Sequence, residues 1–289
     1  MAAEKTDLRQ RPVGVFDSGV GGLSVWREIV RLLPHESTLY LADQARAPYG
    51  GRTQAEVAAL THAAVAWLLQ QGAKMIVVAC NTASAAALES LRKRWPEAPI
   101  VGMEPAVKPA SQASQTGRVG VLATPGTLRA QRFQNLVARY ANGVEVHTVI
   151  GAGLVSLVER GQLDGPEIRA LLQSLLQPLR AASVDHLVLG CTHFPFLAPV
   201  IQEVLGPDVT LVDPAPAVAR QTWRRLHQEA LINEENTVGA WRFATTGDLD
   251  AFYELSHRLL ADELVAGRHA MQFRHLDPAY TPSFRMILK

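Results

Sequence analysis

The chain has 289 residues, of which 48% are hydrophobic and 19% charged, and its formal net charge at pH 7 is +1. This length allows two domains of ordinary size, and the composition is that of a globular protein rather than a disordered or fibrous one. The near-zero charge argues against nucleic acid as the main ligand.

The ends of the chain and its cysteines indicate the compartment. Residues 1–12 are polar and carry charges of both signs, unlike a secretory signal, and no apolar run is long enough to span a bilayer. Cys80 and Cys191 are the only cysteines and lie far apart, which predicts neither a disulfide framework nor a thiolate zinc site. We therefore expect a cytoplasmic protein with no metal and no membrane attachment.

Short runs rich in Val, Ile and Leu alternate with amphipathic stretches of helical length, a pattern typical of an α/β fold with doubly wound parallel sheets. The predicted strands are residues 13–16, 38–42, 75–79, 100–102, 119–123, 144–148, 186–189, 209–212 and 241–245. The clearest predicted helix is 54–70, with Gly72 beyond its end, and the last helix starts at Asp248.

The chain repeats itself at an offset of about 110 residues, which indicates two homologous halves. Residues 13–19 are echoed by 119–126, 76–82 by 187–193, and 104–106 by 213–215. The alternative is the generic similarity of strand-to-helix turns. The repeat predicts two similar domains related by an approximate twofold axis. One is formed by residues 1–104 plus 214–289, the other by 105–213, and the active site lies between them.

Cys80 and Cys191 occupy equivalent places in the repeat, each after a predicted strand and before a helix expected near Thr82 or at Pro195. Ligands of open parallel sheets bind outside the carboxyl ends of the strands. If the halves face each other, the two thiols approach one cleft from opposite sides. Either cysteine alone is more simply read as a small buried hydrophobe, but the matched pair favours a function.

Two opposed thiols suit the inversion of an α-carbon. That reaction removes a proton from one face and supplies a proton to the other, so it needs two acid/base groups rather than one. A cysteine has an ordinary pKa of about 8.5, and local partners can bring one thiol and one thiolate together near neutral pH. The cysteine pair therefore predicts proton transfer on both faces of a substrate carbon.

Further polar residues follow the same strands. Asp17 and Ser18 end the first one, before glycines that allow close backbone approach to a ligand or simply form a tight turn. The Asp17 carboxylate could accept a proton or hold an ammonium group. His193 is the matching group beside Cys191, with a solvated surface histidine as the alternative.

The loop 43–50 falls at the same predicted sheet edge and is suited to lining a pocket. Four threonines lie near predicted helix starts, where they either bind substrate carboxylates or cap the helices. They are Thr82, Thr124, Thr127 and Thr192.

Five segments together resemble the signature blocks of bacterial glutamate racemases, in the same order and spacing. They are residues 17–22, 48–50, 79–82, 190–195 and 244–248. The resemblance extends from about Val13 to Leu260, and the two cysteine blocks are specific to the wider amino-acid racemase superfamily.

The resemblance implies a racemase that interconverts L- and D-glutamate, supplies D-glutamate for peptidoglycan and uses no cofactor. By the family pattern, Cys80 and Cys191 are the acid/base pair, Asp17 assists Cys80, and His193 assists Cys191. The implied substrate contacts are Asp17, Ser18, Tyr49, Gly50, Asn81, Thr82, Thr192 and His193. Glu159 and Thr124 resemble supporting positions.

The residues leave some alternatives open. The tail 265–289 matches no family block and fits an extra strand, a dimer contact or a disordered end, so a homodimer stays open too. An aspartate racemase would use the same thiols. A module that only binds an amino acid has no need for them, and a cysteine hydrolase would leave the second one unexplained.

Overall fold

The computed structural model describes residues 8–235, 238–261 and 271–277. The strands are β1 (Val13–Asp17), β2 (Thr38–Ala42), β3 (Met75–Val78), β4 (Ile100–Gly102), β5 (Arg118–Ala123), β6 (Glu145–Ile150), β7 (His186–Gly190), β8 (Thr210–Val212), β9 (Trp241–Thr245) and β10 (Met271–His275). The helices are α1 (Leu23–Leu32), α2 (Gln54–Gln70), α3 (Asn81–Arg94), α4 (Val107–Ala113), α5 (Pro125–Arg129), α6 (Gln131–Tyr140), α7 (Leu154–Glu159), α8 (Pro166–Ala181), α9 (Ala198–Leu205), α10 (Ala215–Gln228) and α11 (Leu249–Leu259).

The described strands form two sheets in which neighbours run parallel. One sheet has the order β10-β9-β2-β1-β3-β4, and the other has the order β6-β5-β7-β8. The α/β class with two parallel sheets is therefore confirmed. The repeat in the sequence corresponds to the shared order, since β2-β1-β3-β4 matches β6-β5-β7-β8 strand for strand. The approximate twofold axis and the domain boundaries stay predictions.

The elements begin and end close to where the sequence places them. Residues 54–70 form α2 as expected. The Thr53 side chain accepts a hydrogen bond from the Glu56 amide while Glu56 returns one to Thr53, and Gly72 follows the helix with a φ of 84°. The predicted strands each match a described strand to within two residues at either end.

One strand, β10, is the extra strand that was one of the three alternatives for the tail 265–289. It lies in the tail that matched no family block and pairs with β9 from Met271↔Trp241 to His275↔Thr245. Phe273 stacks on Phe243 with their ring centroids 4.9 Å apart. Among the described strands, β10 has a sheet neighbour on one side only, and its sequence carries no continuous apolar run. The rest of the tail, residues 265–270 and 278–289, lies outside the described residues, and so do the predictions made for it.

The apolar core connects the two sheets. One cluster of buried residues runs from Val13 and Trp26 in the first half to Leu154 and Leu187 in the second. This shared core fixes the halves against each other on the side of α1 and α10, so that residues at the carboxyl ends of β1, β3 and β7 come together. Within the described ranges, no helix is both long and apolar enough to cross a membrane.

Candidate active site

Cys80 lies between β3 and α3, as the sequence predicts. Cys80 is the N-cap of α3, and its Sγ accepts a hydrogen bond from the Ala83 amide at 3.5 Å. The Ser18 hydroxyl, from the end of β1, lies 3.7 Å from the same sulfur. The thiol is therefore held by a helix N-terminus of its own and by a hydroxyl from the neighbouring strand.

The surroundings of Cys80 favour its protonated form. Burial raises the pKa of the thiol to about 12, and the charge of Asp17 acts in the same direction. The Ala83 amide lowers the pKa, whereas the charge of Cys191 raises it further. The two sulfurs therefore interact electrostatically, and in this arrangement Cys80 carries its proton at neutral pH.

Cys191 follows β7, but its local structure differs from that of Cys80. The expected helix at Pro195 is a short 3-10 helix, Phe194–Leu197, and the α-helix α9 begins only at Ala198. A helix thus follows Cys191 near Pro195, as expected, but it begins as a 3-10 turn that runs directly into α9, and its N-cap is His193 rather than the cysteine. Instead, the sulfur of Cys191 lies 3.6 Å from His193 Nδ1, an alternative source of stabilisation for a thiolate.

His193 is buried, so the alternative of a solvated surface histidine is wrong. Its Nε2 lies 2.6 Å from Glu159 Oε1, at the end of α7. Burial lowers the pKa of His193, but the hydrogen bonds to Cys191 and Glu159 outweigh it and hold the pKa well above its ordinary value. Burial also opposes the charge of Glu159, yet its bonds to His193 and Gln44 keep the pKa of Glu159 low. The pair is an imidazolium and a carboxylate.

Asp17 is buried at the end of β1 and reaches across to the second half. One carboxylate oxygen accepts the Gly19 amide at 3.0 Å, and the other accepts the Thr192 hydroxyl at 3.0 Å. Burial raises its pKa to about 6, although the charge of His193 opposes the rise. Ser18, not Asp17, makes the described hydrogen bond to the Cys80 sulfur, so Asp17 influences Cys80 through its charge.

The glycines after Asp17 let the halves approach closely. A Cβ on Gly19 would lie 1.8 Å from Glu159 Oε1, and one on Gly21 would lie 2.3 Å from His193 Nδ1. Both distances are too short for real atoms, so a larger residue would force the loop and the second half apart. The sequence interpretation was close approach to a ligand; the observed neighbours are side chains of the opposite half.

The remaining predicted contacts form the seam between the halves. Thr82 and Thr124 share a hydrogen bond of 2.8 Å between their hydroxyls, and the Gly126 amide donates to the Gly50 carbonyl at 2.9 Å. A cavity of about 330 Å³ adjoins this seam and is lined in part by Arg52, Thr82, Gly126 and Arg129.

Tyr49 and Asn81 both lie in the first half, directly before the seam residues Gly50 and Thr82. The Tyr49 hydroxyl donates to Asp43 Oδ2 at 2.6 Å, which ties the loop 43–50 to the end of β2. Asn81 Nδ2 contacts the Met103 sulfur at 2.9 Å, while its buried Oδ1 has no hydrogen-bond partner among the described residues. That oxygen is suited to accept a bond from a substrate ammonium.

Sequence reasoning assigned no role to Gln44, which donates to Glu159 Oε2 at 2.9 Å. The sequence feature that could have indicated a role for Gln44 is its position just after β2, at the sheet edge that carries Asp17 and Cys80. Its partner Glu159 lies 115 residues further along the chain, so the contact itself is a product of the tertiary fold.

Comparison with known proteins agrees with this geometry. Residues 13–222 match the model of the Asp/Glu/hydantoin racemase family. A glutamate racemase from Roseiflexus sp. is 50% identical over 255 residues, which cover 88% of this chain and 94% of the relative.

Two solved glutamate racemases share the fold. An isoform from Bacillus anthracis has a TM-score of 0.83 and 32% identity, with 93% of this chain and 98% of that chain covered. The Escherichia coli enzyme, solved with L-glutamate and the activator UDP-MurNAc-Ala, has a TM-score of 0.79 and 34% identity, with 92% and 98% covered. This chain belongs to the Asp/Glu/hydantoin racemase family and, within it, to the glutamate racemases.

Proposed function

We propose that this glutamate racemase inverts its substrate with Cys80 and Cys191 as opposed acid and base. The observation that carries the proposal is the pair of buried thiols, one at the carboxyl end of each sheet, with Asp17 and His193 beside them. Neither half alone supplies groups to both faces of an α-carbon.

From L-glutamate, the Cys191 thiolate takes the α-proton, so the C–H bond breaks and an S–H bond forms. The Cys80 thiol then gives its proton to the opposite face, forming the new C–H bond and leaving a thiolate. The His193 imidazolium stabilises the thiolate of Cys191, and the raised pKa of Cys80 suits the donor. From D-glutamate the roles are reversed. After each turnover from L-glutamate, Cys191 loses its proton to solvent and Cys80 gains one from solvent, which resets the enzyme.

Substrate binding falls to the polar groups around the thiols. The Asp17 carboxylate and Asn81 Oδ1 are suited to the α-ammonium, and the hydroxyls of Ser18, Thr82 and Thr192 to the carboxylates. Tyr49, Gly50 and Thr124 shape the seam. We further propose that the enzyme works in the reducing cytoplasm, which keeps both thiols free, and that its D-glutamate serves peptidoglycan synthesis. A homodimer stays a prediction.

A chiral assay of dialysed protein with L-glutamate, D-glutamate and L-aspartate tests the function. We expect each glutamate enantiomer to yield the racemate without added cofactor and aspartate to react far more slowly. Activity that appears only when pyridoxal phosphate is supplied would refute the two-thiol mechanism. Equal rates with aspartate would refute the substrate assignment. Protection of a thiol by glutamate against iodoacetamide gives a second measurement.

A further inference from the structure

A line of hydrogen bonds crosses from the first half to the second behind the reacting groups. The Gly247 amide donates to Thr245 Oγ1 at 3.0 Å, and the Thr245 hydroxyl donates to Gln44 Oε1 at 2.8 Å. Gln44 Nε2 then donates to Glu159 Oε2 at 2.9 Å. All three donors belong to the first half, whereas the final acceptor, Glu159, belongs to the second.

The direction of these bonds is determined by the carboxylate at their end. An ionised carboxylate can only accept, so the Gln44 NH₂ group faces Glu159 and Gln44 Oε1 faces Thr245. Because that amide oxygen also only accepts, the Thr245 hydroxyl donates to it while accepting from the Gly247 amide. Thr245 is fully buried, so bulk solvent does not compete for its hydroxyl.

Glu159 is the point where this line meets the acid/base groups. Its Oε1 accepts from the Val20 amide at 2.8 Å and lies 2.6 Å from His193 Nε2. Gln44 contacts the other oxygen, so the carboxylate is held from both sides and its plane is fixed towards the imidazole. A carboxylate that accepts several hydrogen bonds stays ionised and orients the histidine that it faces.

We propose that Gln44 is a positioning residue for the proton transfer at Cys191. Gln44 holds Glu159 against His193. The imidazolium beside the Cys191 sulfur is therefore fully oriented only when the first half contacts the second. This inference rests on the proposed two-thiol function. It adds that the first half, which carries Cys80, also prepares the thiol of the second half.

Gln44→Met keeps the length of the side chain and removes both hydrogen bonds. Loss of a hydrogen bond to a charged group corresponds to a rate decrease of about ten- to a hundredfold. We expect kcat/KM to fall by this factor with either enantiomer. The two decreases must be equal, because the equilibrium constant of a racemisation is one. The affected step must therefore be identified by another measurement.

Primary deuterium isotope effects identify that step. If Gln44→Met slows transfer at Cys191 more than at Cys80, the isotope effect on kcat/KM rises with α-deuterated substrate of the enantiomer that Cys191 deprotonates. It falls with the other enantiomer. Exchange by the two Cys→Ala variants assigns the enantiomers independently. A general loss of structure would lower kcat/KM without moving the two isotope effects in opposite directions.

Two further variants complete the test. Thr245→Val removes the hydroxyl that orients Gln44 and should change the isotope effects in the same direction, by less. If the Gln44→Met variant does not fold, Thr245→Val tests the role of Gln44 in its place. Ser24→Ala is the matched control, because Ser24 donates across the halves to the Thr192 carbonyl at 2.9 Å without touching Glu159. We expect it to leave the ratio of the isotope effects unchanged.

The outcomes separate this inference from the proposed function. Wild-type protein that does not racemise glutamate contradicts the function itself. If the wild-type protein is active but kcat/KM of Gln44→Met and Thr245→Val stays within about twofold of wild type, only the role of Gln44 is overturned. The role is also overturned if kcat/KM falls while the ratio of the isotope effects matches that of Ser24→Ala.

Discussion

The two reactive sulfurs lie in different local environments although they occupy equivalent places in the repeat. Cys80 is held by a helix N-terminus and the Ser18 hydroxyl, and burial raises its pKa to about 12. Cys191 lies beside the His193 imidazolium. The two sulfurs therefore face different partners, a hydroxyl and a helix N-terminus on one side and an imidazolium on the other. The asymmetry arises because Cys80 is itself the N-cap of an α-helix, whereas the helix after Cys191 begins with a 3-10 turn whose N-cap is His193.

Single replacements of the thiols should separate the two half-reactions. Cys80→Ala and Cys191→Ala should each abolish net racemisation, because inversion needs both faces. In deuterium oxide, Cys191→Ala should still exchange the α-proton of D-glutamate slowly, whereas Cys80→Ala should exchange that of L-glutamate. NMR of the α-proton measures both. The opposite pattern would exchange the two assignments, and full racemisation by either variant would contradict the two-thiol mechanism.

The raised pKa of Asp17 predicts an acid limb in the rate profile. Its folded pKa of about 6 lies above the ordinary 3.8, so Asp17 is neutral below pH 6 and anionic above it. Because the anion is the form that holds an ammonium or accepts a proton, kcat/KM should fall as the pH drops through about 6. Asp17→Asn should remove this limb and lower turnover by about a hundred- to ten-thousandfold. A raised KM with unchanged turnover would make Asp17 a binding group only.

Between elements, a buried ion pair connects segments that are distant in the chain. Lys74, just before β3, lies with its Nζ 2.6 Å from Glu36 Oε2, just before β2, and both side chains are buried. The other oxygen of Glu36 accepts the Asn233 amide at 2.7 Å. The pair therefore joins the amino ends of two strands to the segment that leads into β9, on the side opposite the thiols.

Lys74→Met should destabilise the protein without changing the reaction. It leaves the Glu36 charge buried and unpaired, which costs about 3–5 kcal/mol of the free energy of unfolding. Urea unfolding measures the loss. The double variant Lys74→Met, Glu36→Gln should recover much of it, because no charge is left behind. A double variant as unstable as the single one would show that Lys74 acts by packing.

For the whole molecule, the site exists only while the halves touch along the seam. Gly126 and Gly50 meet backbone to backbone at 2.9 Å, and Thr82 and Thr124 bond beside them. Cys80 and Cys191 are buried in this arrangement, at 5% and 6% relative exposure, so we expect the seam to open when substrate enters. Activity therefore depends on a contact that can form and separate.

Gly126→Ala should hold the seam apart. Its Cβ would lie 2.9 Å from Thr82 Cγ2 and 3.2 Å from the Gly50 carbonyl oxygen. Because a small misplacement of catalytic groups is costly, we expect kcat/KM to fall by about ten- to a hundredfold with little change in Tm. Gly51→Ala is the matched control, since its Cβ would meet nothing within 4 Å. Equal activity of the two variants would exclude the seam as a determinant of rate.

The apolar runs, the repeat and the two cysteine blocks are local patterns, so the sequence by itself determined what they predict. They were sufficient to predict the α/β class, the strands β1 to β9 and the matched positions of Cys80 and Cys191. The sequence left an extra strand as only one of three alternatives for the tail, because β10 pairs on one side only among the described strands and carries a weak apolar signal.

Only the tertiary structure decided which groups meet. Glu159 faces His193, Gln44 reaches Glu159, and Thr192 donates to Asp17 over separations of 34, 115 and 175 residues. Side-chain contacts across two sheets depend on how their cores pack, and no local periodicity encodes that packing. The pKa values follow the same rule, because burial and charges from the opposite half create them.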